Sequence, residues 1–325
     1  MNVYDHIAAN DRRTVIILCA FPAALFATVY LFAVLIAKIY GGANSLEEAL
    51  QITLTVYPWM FFVVFIWIAI AYYRGGAMLL DMAHASRVTF DENRDLFRLV
   101  ENTAIMAGLP TPEIYFIEDD SLNAFATGRD PKTASIALTR GIVEKLDKAE
   151  LQAVIAHELA HIGNHDTRLM IITVAGIGCF LFFGELLFRM ALRGGRGRRN
   201  GKATVVIIFI SIACLLFGYV VAPILRFALS RRREYQADAT AVRITRDPDA
   251  LVRALTKITL NPRVEALGAS PLAGNMCIVK PAKSGFFSRL YCTHPPIDDR
   301  LAALISMIGV NEGPQVKAQL GKAVW

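Results

Sequence analysis

Two histidines in the sequence HELAH, His157 and His161, stand four residues apart, with Glu158 directly after the first. Residues four apart share one face of an α-helix, so both imidazoles can bind one metal ion. Imidazole nitrogen suits Zn²⁺, and a neighbouring carboxylate can take a proton from the water that the ion activates. Such a short motif also occurs by chance, and a catalytic zinc ion usually has a third protein ligand.

The segment REYQAD offers that third ligand. Glu234 lies 73 residues beyond His161, and Asp238 follows one helical turn later on the same face. Two apolar segments separate the motifs, and a chain that crosses a membrane twice returns to the side it left. Glu234 can therefore join the histidines as a ligand, with Asp238 orienting a histidine ring through its other nitrogen. Taken alone, Glu234 also fits a solvated residue after a basic run.

The composition indicates a membrane protein. Of 325 residues, 55% are hydrophobic and 19% are charged, and the mean hydropathy is +0.43. About 20 apolar residues suffice for a helix to cross roughly 30 Å of hydrocarbon. A buried core helix is the alternative for each apolar segment, and it fits the later pair better than the first. Four segments predict about four transmembrane helices: Thr14–Ala37, Ile52–Tyr73, Leu169–Phe188 and Thr204–Ala222.

Basic residues beside the spans predict their orientation. Arg12 and Arg13 precede the first span and Arg74 follows the second, which puts the N-terminus and the segment after Arg74 in the cytoplasm. The run from Arg189 to Lys202 disagrees, because a crossing hairpin would place its six basic residues outside. Between two apolar helices this run fits lipid headgroups better than nucleic acid, so we predict no nucleic-acid partner.

The soluble segments between the spans predict a small α+β domain. EIYFIE, NAFATG and ASIALT predict a short three-stranded sheet, and Gly108 fits the C-cap of the helix before it. Asp147, with Glu150 three residues later, predicts a capping box at the start of the helix that carries HELAH. The predicted parts are a transmembrane hairpin (1–74), a first soluble part (75–168), a second hairpin (169–225) and a second soluble part (226–325).

Four sequence blocks, NAFATGR, HELAH, RRREYQAD and THPPIDDRLAAL, resemble one known family in order and spacing. They resemble the HtpX-like membrane zinc metalloproteases, which are related to the CAAX prenyl endopeptidases. The resemblance covers about residues 97 to 305. It implies a mainly α membrane protein whose small α+β catalytic domain is of the zincin, gluzincin type. It also implies one Zn²⁺ held by His157, His161 and Glu234, with Glu158 as the base.

Two residues of the HPPIDDR block would face the site by the same resemblance, His294 and Arg300. Peptide hydrolysis builds negative charge on the former carbonyl oxygen, and a protonated histidine or an arginine can stabilise that charge. His294 precedes Pro295, which holds it extended ahead of a short helix that carries Arg300. A surface loop is the alternative for both residues.

Three residues ahead of the HELAH helix are candidates for binding substrate: Asn123, Ala124 and Phe125. They belong to one predicted strand. At the edge of the sheet, such a strand can pair with the backbone of a bound polypeptide. An internal strand is the alternative, and it would leave no room for a substrate.

The sequence therefore predicts an integral membrane zinc endopeptidase whose site faces the cytoplasm. By the family resemblance, its substrates are misfolded or damaged membrane proteins or unfolded polypeptides, and its place is the bacterial inner membrane. A dedicated CAAX-type processing protease is an alternative, although four spans are few for a large intramembrane chamber. A non-catalytic scaffold with a structural zinc is another, and it requires a fourth ligand, usually Cys or His.

Overall fold

The computed structural model describes residues 3–40, 45–194, 201–216, 222–260, 300–302 and 304–305. This part of the chain is mostly helical, and its last two ranges are helical as well. The helices are α1 (Val3–Tyr40), α2 (Ser45–Met82), α3 (Arg94–Ala107), α4 (Arg140–Lys145), α5 (Lys148–Gly163), α6 (Asp166–Gly194), α7 (Gly201–Leu216), α8 (Ala222–Thr245) and α9 (Pro248–Leu260). The strands are β1 (Ser86–Arg87), β2 (Glu113–Ile117), β3 (Ala124–Thr127) and β4 (Ser135–Thr139).

The chain forms two compact units, each built from separate stretches of sequence. The first unit comprises Met1–Asn10, Arg74–Ile171 and Arg226–Trp325. It combines the two soluble parts assigned from the sequence with the first ten residues of the chain. The second unit comprises Asp11–Tyr73 and Ile172–Leu225, where most of the apolar helical sequence lies.

The sheet has four strands in the order β1-β2-β4-β3, so the prediction of three strands was wrong. The three predicted segments form β2, β3 and β4, with β2 parallel to β4 and β3 antiparallel to it. The additional strand, β1, pairs antiparallel with β2 through only two residues, both exposed. Two exposed residues give no alternation of polar and apolar side chains, which is why the sequence pattern does not reveal them.

Helix α5 carries the HELAH motif and is buried on all sides from Leu151 to Ile162, apart from Gln152. It packs against β3, α3 and α9. The predicted capping box is present: the Asp147 carboxylate accepts from Glu150 N–H, and the Glu150 carboxylate accepts from Asp147 N–H. The Glu150 side chain also pairs with Lys257 of α9 at 2.6 Å. These contacts fix where the helix begins and which neighbour it faces.

Helix α3 ends at the predicted C-cap. Gly108 adopts a left-handed conformation with φ at 70°, which glycine reaches without the steric cost of a Cβ atom. Its N–H group bonds back to carbonyls of the last turn of α3. The helix packs its apolar face, including Leu96 and Val100, against the core that surrounds α5.

Two helical segments in the described part of the chain are long and apolar enough to cross a membrane, Tyr57–Met82 and Asp166–Leu192. Only 17% of the most apolar window of the first is buried, which a core helix of a soluble protein would not show. Its exposed aromatic side chains include Trp59, Phe61 and Phe65. These segments support association with a membrane.

The capping box generates a prediction about the stability of α5. Hydrogen bonding from Glu150 N–H lowers the pKa of Asp147 below its ordinary value of 3.8. The stabilisation is therefore complete above that ordinary value and is lost as the pH falls through the lower pKa of the folded state. We expect Asp147→Ala to lower the free energy of unfolding by about 1 kcal/mol at pH 7. The difference from wild type should shrink below about pH 4.

Urea unfolding of the detergent-solubilised protein, followed by circular dichroism, measures this difference at each pH. Asp91→Ala is the matched control, because the Asp91 side chain is 86% exposed and its pair with Arg94 spans 3.5 Å. The control should unfold like the wild type at every pH. A variant Asp147→Ala that also unfolds like the wild type would show that the box contributes nothing measurable.

Candidate metal centre and active site

Three potential metal ligands meet between α5 and α8. The Nε2 atoms of His157 and His161 lie 3.2 Å apart, and each lies 3.6 Å from a carboxylate oxygen of Glu234. All three residues are buried, and their ligand atoms lie within 4.8 Å of one another. The structure thus brings together the three ligands inferred from the sequence, in a space that one ion can bridge.

Each helix contributes to this convergence through its local sequence. On α5 the four-residue spacing sets both imidazoles on one face. Helix α8 brings Glu234 alongside with two fully buried alanines on its next turns, Ala237 and Ala241. Ala241 belongs to the hydrophobic core that also contains the apolar residues of α5.

A carboxylate lies behind each histidine. Asp238 Oδ1 is 3.0 Å from Nδ1 of His157, and Asp166 Oδ2 is 2.9 Å from Nδ1 of His161. A carboxylate at Nδ1 holds the ring proton there, so Nε2 keeps a lone pair for a metal ion. The position of Asp238 agrees with the orienting role assigned to it from the sequence.

Asp166 is the residue that the sequence analysis missed, although it follows directly after the motif. It is five residues from His161, a spacing that an uninterrupted helix would turn away from the imidazole. Helix α5 ends at Gly163, and His165 adopts a left-handed conformation with φ at 59°. This turn between α5 and α6 brings the Asp166 carboxylate back to His161. In the sequence, the only indication of this contact is an acidic residue just past the end of the helix.

Arg300 reaches the site from far along the chain and is fully buried. Its Nη2 and Nε atoms donate to Asp238 at 2.6 and 2.8 Å, and its Nη1 atom lies 3.5 Å from Glu234. Burial raises the pKa of Asp238, but its contacts with the Arg300 guanidinium and with His157 together lower the pKa to about 2. Arg300 thus keeps Asp238 ionised where it contacts His157. The sequence placed Arg300 at the site, and its shortest bonds go to Asp238.

Glu158 stands beside the ligands and is 3% exposed. Its Oε1 atom has no hydrogen-bond partner among the residues that the structure describes. A buried carboxylate oxygen without a partner is costly, and sites of chemistry are where such groups are retained. Glu158 is therefore the candidate base of this site.

The two histidines lie in an acidic surrounding. Among the described residues, four buried carboxylates and the guanidiniums of Arg300 and Arg233 lie around them. Burial and Arg300 lower the pKa of His157, but hydrogen bonds with Asp238 and Glu234 outweigh these effects. The net result is a raised pKa of about 9. The same demand for positive charge suits Zn²⁺ with two imidazoles and a carboxylate. The four carboxylates are those of Glu158, Asp166, Glu234 and Asp238.

The candidate substrate strand lies at one edge of the sheet among the described residues. Ala124 and Phe125 belong to β3, Asn123 immediately precedes it, and β3 is an edge strand of the sheet that packs against α5. All three residues are buried, and Phe125 packs in a hydrophobic cluster with Ala137 and Ile171. Asn123 and Ala124 are 1% exposed and Phe125 is 5% exposed, so both the backbone and the side chains of these residues are covered in this structure. His294 lies outside the described residues.

Comparison with known proteins decides the family. Residues 91–308 match the family described as Peptidase family M48.

The chain belongs to peptidase family M48.

Curated relatives of this M48 peptidase extend the match over nearly its whole length. A "Protease HtpX homolog" of Bacteroides fragilis (strain YCH46) is 37% identical over 311 residues, which cover 91% of this chain and 95% of that protein. A second, from Dictyoglomus thermophilum, is 36% identical over 304 residues and 94% of each chain. A third, from Ligilactobacillus salivarius, is 34% identical over 94% of this chain. The protein is a metallopeptidase related to these proteases.

A solved structure, the crystal structure of S. mikatae Ste24p, is 18% identical with a TM-score of 0.46. The match covers 92% of this M48 peptidase and 66% of that chain.

The buried pair of Asp238 and Arg300 generates a second prediction. Asp238→Ala leaves the Arg300 guanidinium buried without its main partner, so the free energy of unfolding should fall by about 3–5 kcal/mol. The double variant Asp238→Ala/Arg300→Met leaves neither charge buried and should recover part of that loss. Urea unfolding in the presence of a chelator measures both without a contribution from bound metal.

The exposed pair of Arg87 and Glu113 supplies the control for this comparison. Its charged groups lie 2.8 Å apart, and the side chains of Arg87 and Glu113 are 62% and 48% exposed. Glu113→Ala should lower the free energy of unfolding by at most about 1 kcal/mol. A double variant less stable than Asp238→Ala alone would show that Arg300 stabilises the fold through contacts other than this pair.

Proposed function

We propose that this chain is an integral membrane zinc endopeptidase that cleaves misfolded or damaged membrane proteins at the cytoplasmic face of a bacterial inner membrane. The observation that carries the proposal is the convergence of His157, His161 and Glu234 beside Glu158, whose Oε1 atom has no hydrogen-bond partner among the described residues. Membership of family M48 supports peptide hydrolysis. The resemblance to HtpX-like proteases supports the quality-control role.

The donor set favours zinc in a catalytic site over zinc in a structural one. Two imidazoles and one carboxylate are the ligands of a catalytic Zn²⁺ with an open fourth position, whereas structural sites are closed by a fourth ligand. Among the described residues, the ligand group consists of these three residues. The cysteines described, Cys19, Cys179 and Cys214, all lie on the apolar helices α1, α6 and α7.

The residues of the chain divide the chemistry between them. When bound, Zn²⁺ lowers the pKa of a water molecule and polarises the scissile carbonyl group. Glu158 takes the proton of the attacking water and delivers it to the nitrogen of the leaving amine. Asp238 and Asp166 hold the histidine rings at Nδ1. We assign stabilisation of the developing oxyanion to His294, with Arg300 holding the Asp238 side of the site.

The edge strand β3 is proposed to bind the substrate backbone. A polypeptide added to a free sheet edge is held by main-chain hydrogen bonds, which do not depend on its side chains. That mode of binding suits a protease that accepts many unfolded sequences. Asn123, Ala124 and Phe125 would provide the pairing edge next to α5.

The proposed topology has four transmembrane helices. Besides the segments in α2 and α6, the apolar sequences Thr14–Ala37 and Thr204–Ala222 supply the other two spans. The ligands on α5 and α8 then lie on one side of the membrane, because α6 and α7 form a returning hairpin. Arg12, Arg13 and Arg74 favour the cytoplasm for that side.

The proposed mechanism predicts that metal binding and catalysis can be separated. Glu158→Gln should keep bound zinc and abolish cleavage, because the base is lost while the three ligands remain. His157→Ala and Glu234→Ala should lose both the metal and the activity. Metal analysis of the purified protein, paired with casein digestion, measures the two properties on the same sample.

Wild-type protein treated with a chelator and reloaded with Zn²⁺ is the control for folding. It should recover activity, whereas Glu158→Gln should not recover it at any zinc concentration. Proteolysis retained in pure Glu158→Gln protein would rule out the assigned base. Wild-type protein that binds zinc and cleaves nothing would favour the structural role.

The topology predicts that the tip of the second hairpin is outside the cell. The predicted spans Leu169–Phe188 and Thr204–Ala222 each hold roughly 20 residues, enough to cross. A partial crossing facing lipid would leave backbone groups and charges in hydrocarbon. A single cysteine at Gly197, which lies outside the described residues, should react with an impermeant maleimide added to intact cells. A cysteine at the exposed position Lys132 should react only after lysis.

Both cysteines are placed in a cysteine-free background, so that labelling reports one position at a time. If Gly197 is also protected until lysis, the hairpin does not cross, and the number of spans falls to two.

A further inference from the structure

The first helix of the chain contributes a buried polar side chain to the first unit. Asn10, four residues before the first predicted span, is 4% exposed. Its Nδ2 group donates to the carbonyl oxygen of Asn164 and to Oδ1 of Asp166, both at 2.9 Å. These partners are 154 and 156 residues away in sequence. Both flank the turn that joins α5 to α6.

The second of these bonds continues to a metal ligand. Asp166 accepts the hydrogen bond of Asn10 at Oδ1, and its Oδ2 atom lies 2.9 Å from Nδ1 of His161. The Nη1 atom of Arg233 lies 3.5 Å from the same Oδ1 atom. The two oxygens of the Asp166 carboxylate therefore contact different residues. Rotation of the carboxylate would break both its bond with Asn10 and its bond with His161.

The chemistry of the asparagine side chain suits this position. Its amide group donates two hydrogen bonds without carrying charge. It can therefore hold the Asp166 carboxylate without adding a second positive charge beside the Arg233 guanidinium. An aspartate at the same place would repel Asp166. The bond to Asn164 ties the same side chain to the end of α5.

We infer that Asn10 is a positioning residue for the metal site. It fixes the Asp166 carboxylate, which in turn orients the His161 ring. The inference rests on the proposed function, because it requires His161 to bind a metal ion. It gives the N-terminal helix a part in the site in addition to membrane anchoring, so metal affinity depends on the first ten residues of the chain.

Metal binding by the full-length protein in detergent tests the inference. The dissociation constant for Zn²⁺ is measured by competition with a chromophoric chelator, and the ligand geometry is followed by the absorption spectrum of bound Co²⁺. Asn10→Ala removes the donor, and Asn10→Asp replaces it with a repelling group of the same shape. We expect affinity to fall about 10- to 100-fold, further for the aspartate, with an altered Co²⁺ spectrum.

Asn93→Ala is the matched control. Asn93 caps α3, an element without ligands, by accepting from Leu96 N–H. Loss of this cap destabilises the protein but changes no residue of the metal site. The Zn²⁺ affinity and the Co²⁺ spectrum should therefore remain those of the wild type. Thermal unfolding without metal shows which variants are folded, and the isosteric Asn10→Asp serves if the alanine variant is not.

A double-mutant cycle separates positioning from general support of the fold. If Asn10 acts through Asp166, Asn10→Ala should not weaken Zn²⁺ binding further in an Asp166→Ala background. Equal losses with and without Asp166 would overturn the inference, and so would unchanged affinity in both folded Asn10 variants. Failure of the wild-type chain to bind either ion would instead overturn the proposed function, and this inference with it.

Discussion

Two buried imidazoles held at Nδ1 by two buried carboxylates are the arrangement on which the rest of the site depends. Removing a carboxylate from water costs several kcal/mol unless charges and hydrogen bonds replace the solvent. Asp238 obtains this replacement from Arg300, and Asp166 obtains it from Asn10 and Arg233. The need to partner these groups explains why the site draws on residues from both ends of the chain.

The scaffold around α5 meets the second requirement, which is rigidity. The helix begins at a capping box, its Glu150 pairs with α9, and its apolar side chains pack against α3 and the sheet. A helix buried on all sides cannot rotate without opening cavities, so the two ligands on it stay in register with Glu234. Glu158 lies on the same buried helix, and its Oε1 atom has no hydrogen-bond partner in the described part of the chain.

In a peptidase of family M48, the base must be able to exchange a proton while the metal ligands stay fixed. Both requirements apply within the same small volume. Asp238 and Asp166 each have at least two partners, whereas the Oε1 atom of Glu158, the proposed base, has no hydrogen-bond partner among the described residues. The conflict between burial and charge is resolved by Arg300 on the side of His157, and by Asn10 together with Arg233 on the side of His161.

The sequence by itself determined the elements and the ligand types. Spacing placed His157 and His161 on one face of a capped helix, and three of the four strands followed from their apolar pattern, because these features depend on neighbours a few residues apart. Only the tertiary structure decided that a two-residue strand completes the sheet. It alone showed that the turn after α5 returns Asp166 to His161. It also showed that Asn10 donates hydrogen bonds to Asn164 and Asp166 from more than 150 residues away. Such contacts depend on how the elements pack, and packing leaves no periodic signal in a sequence.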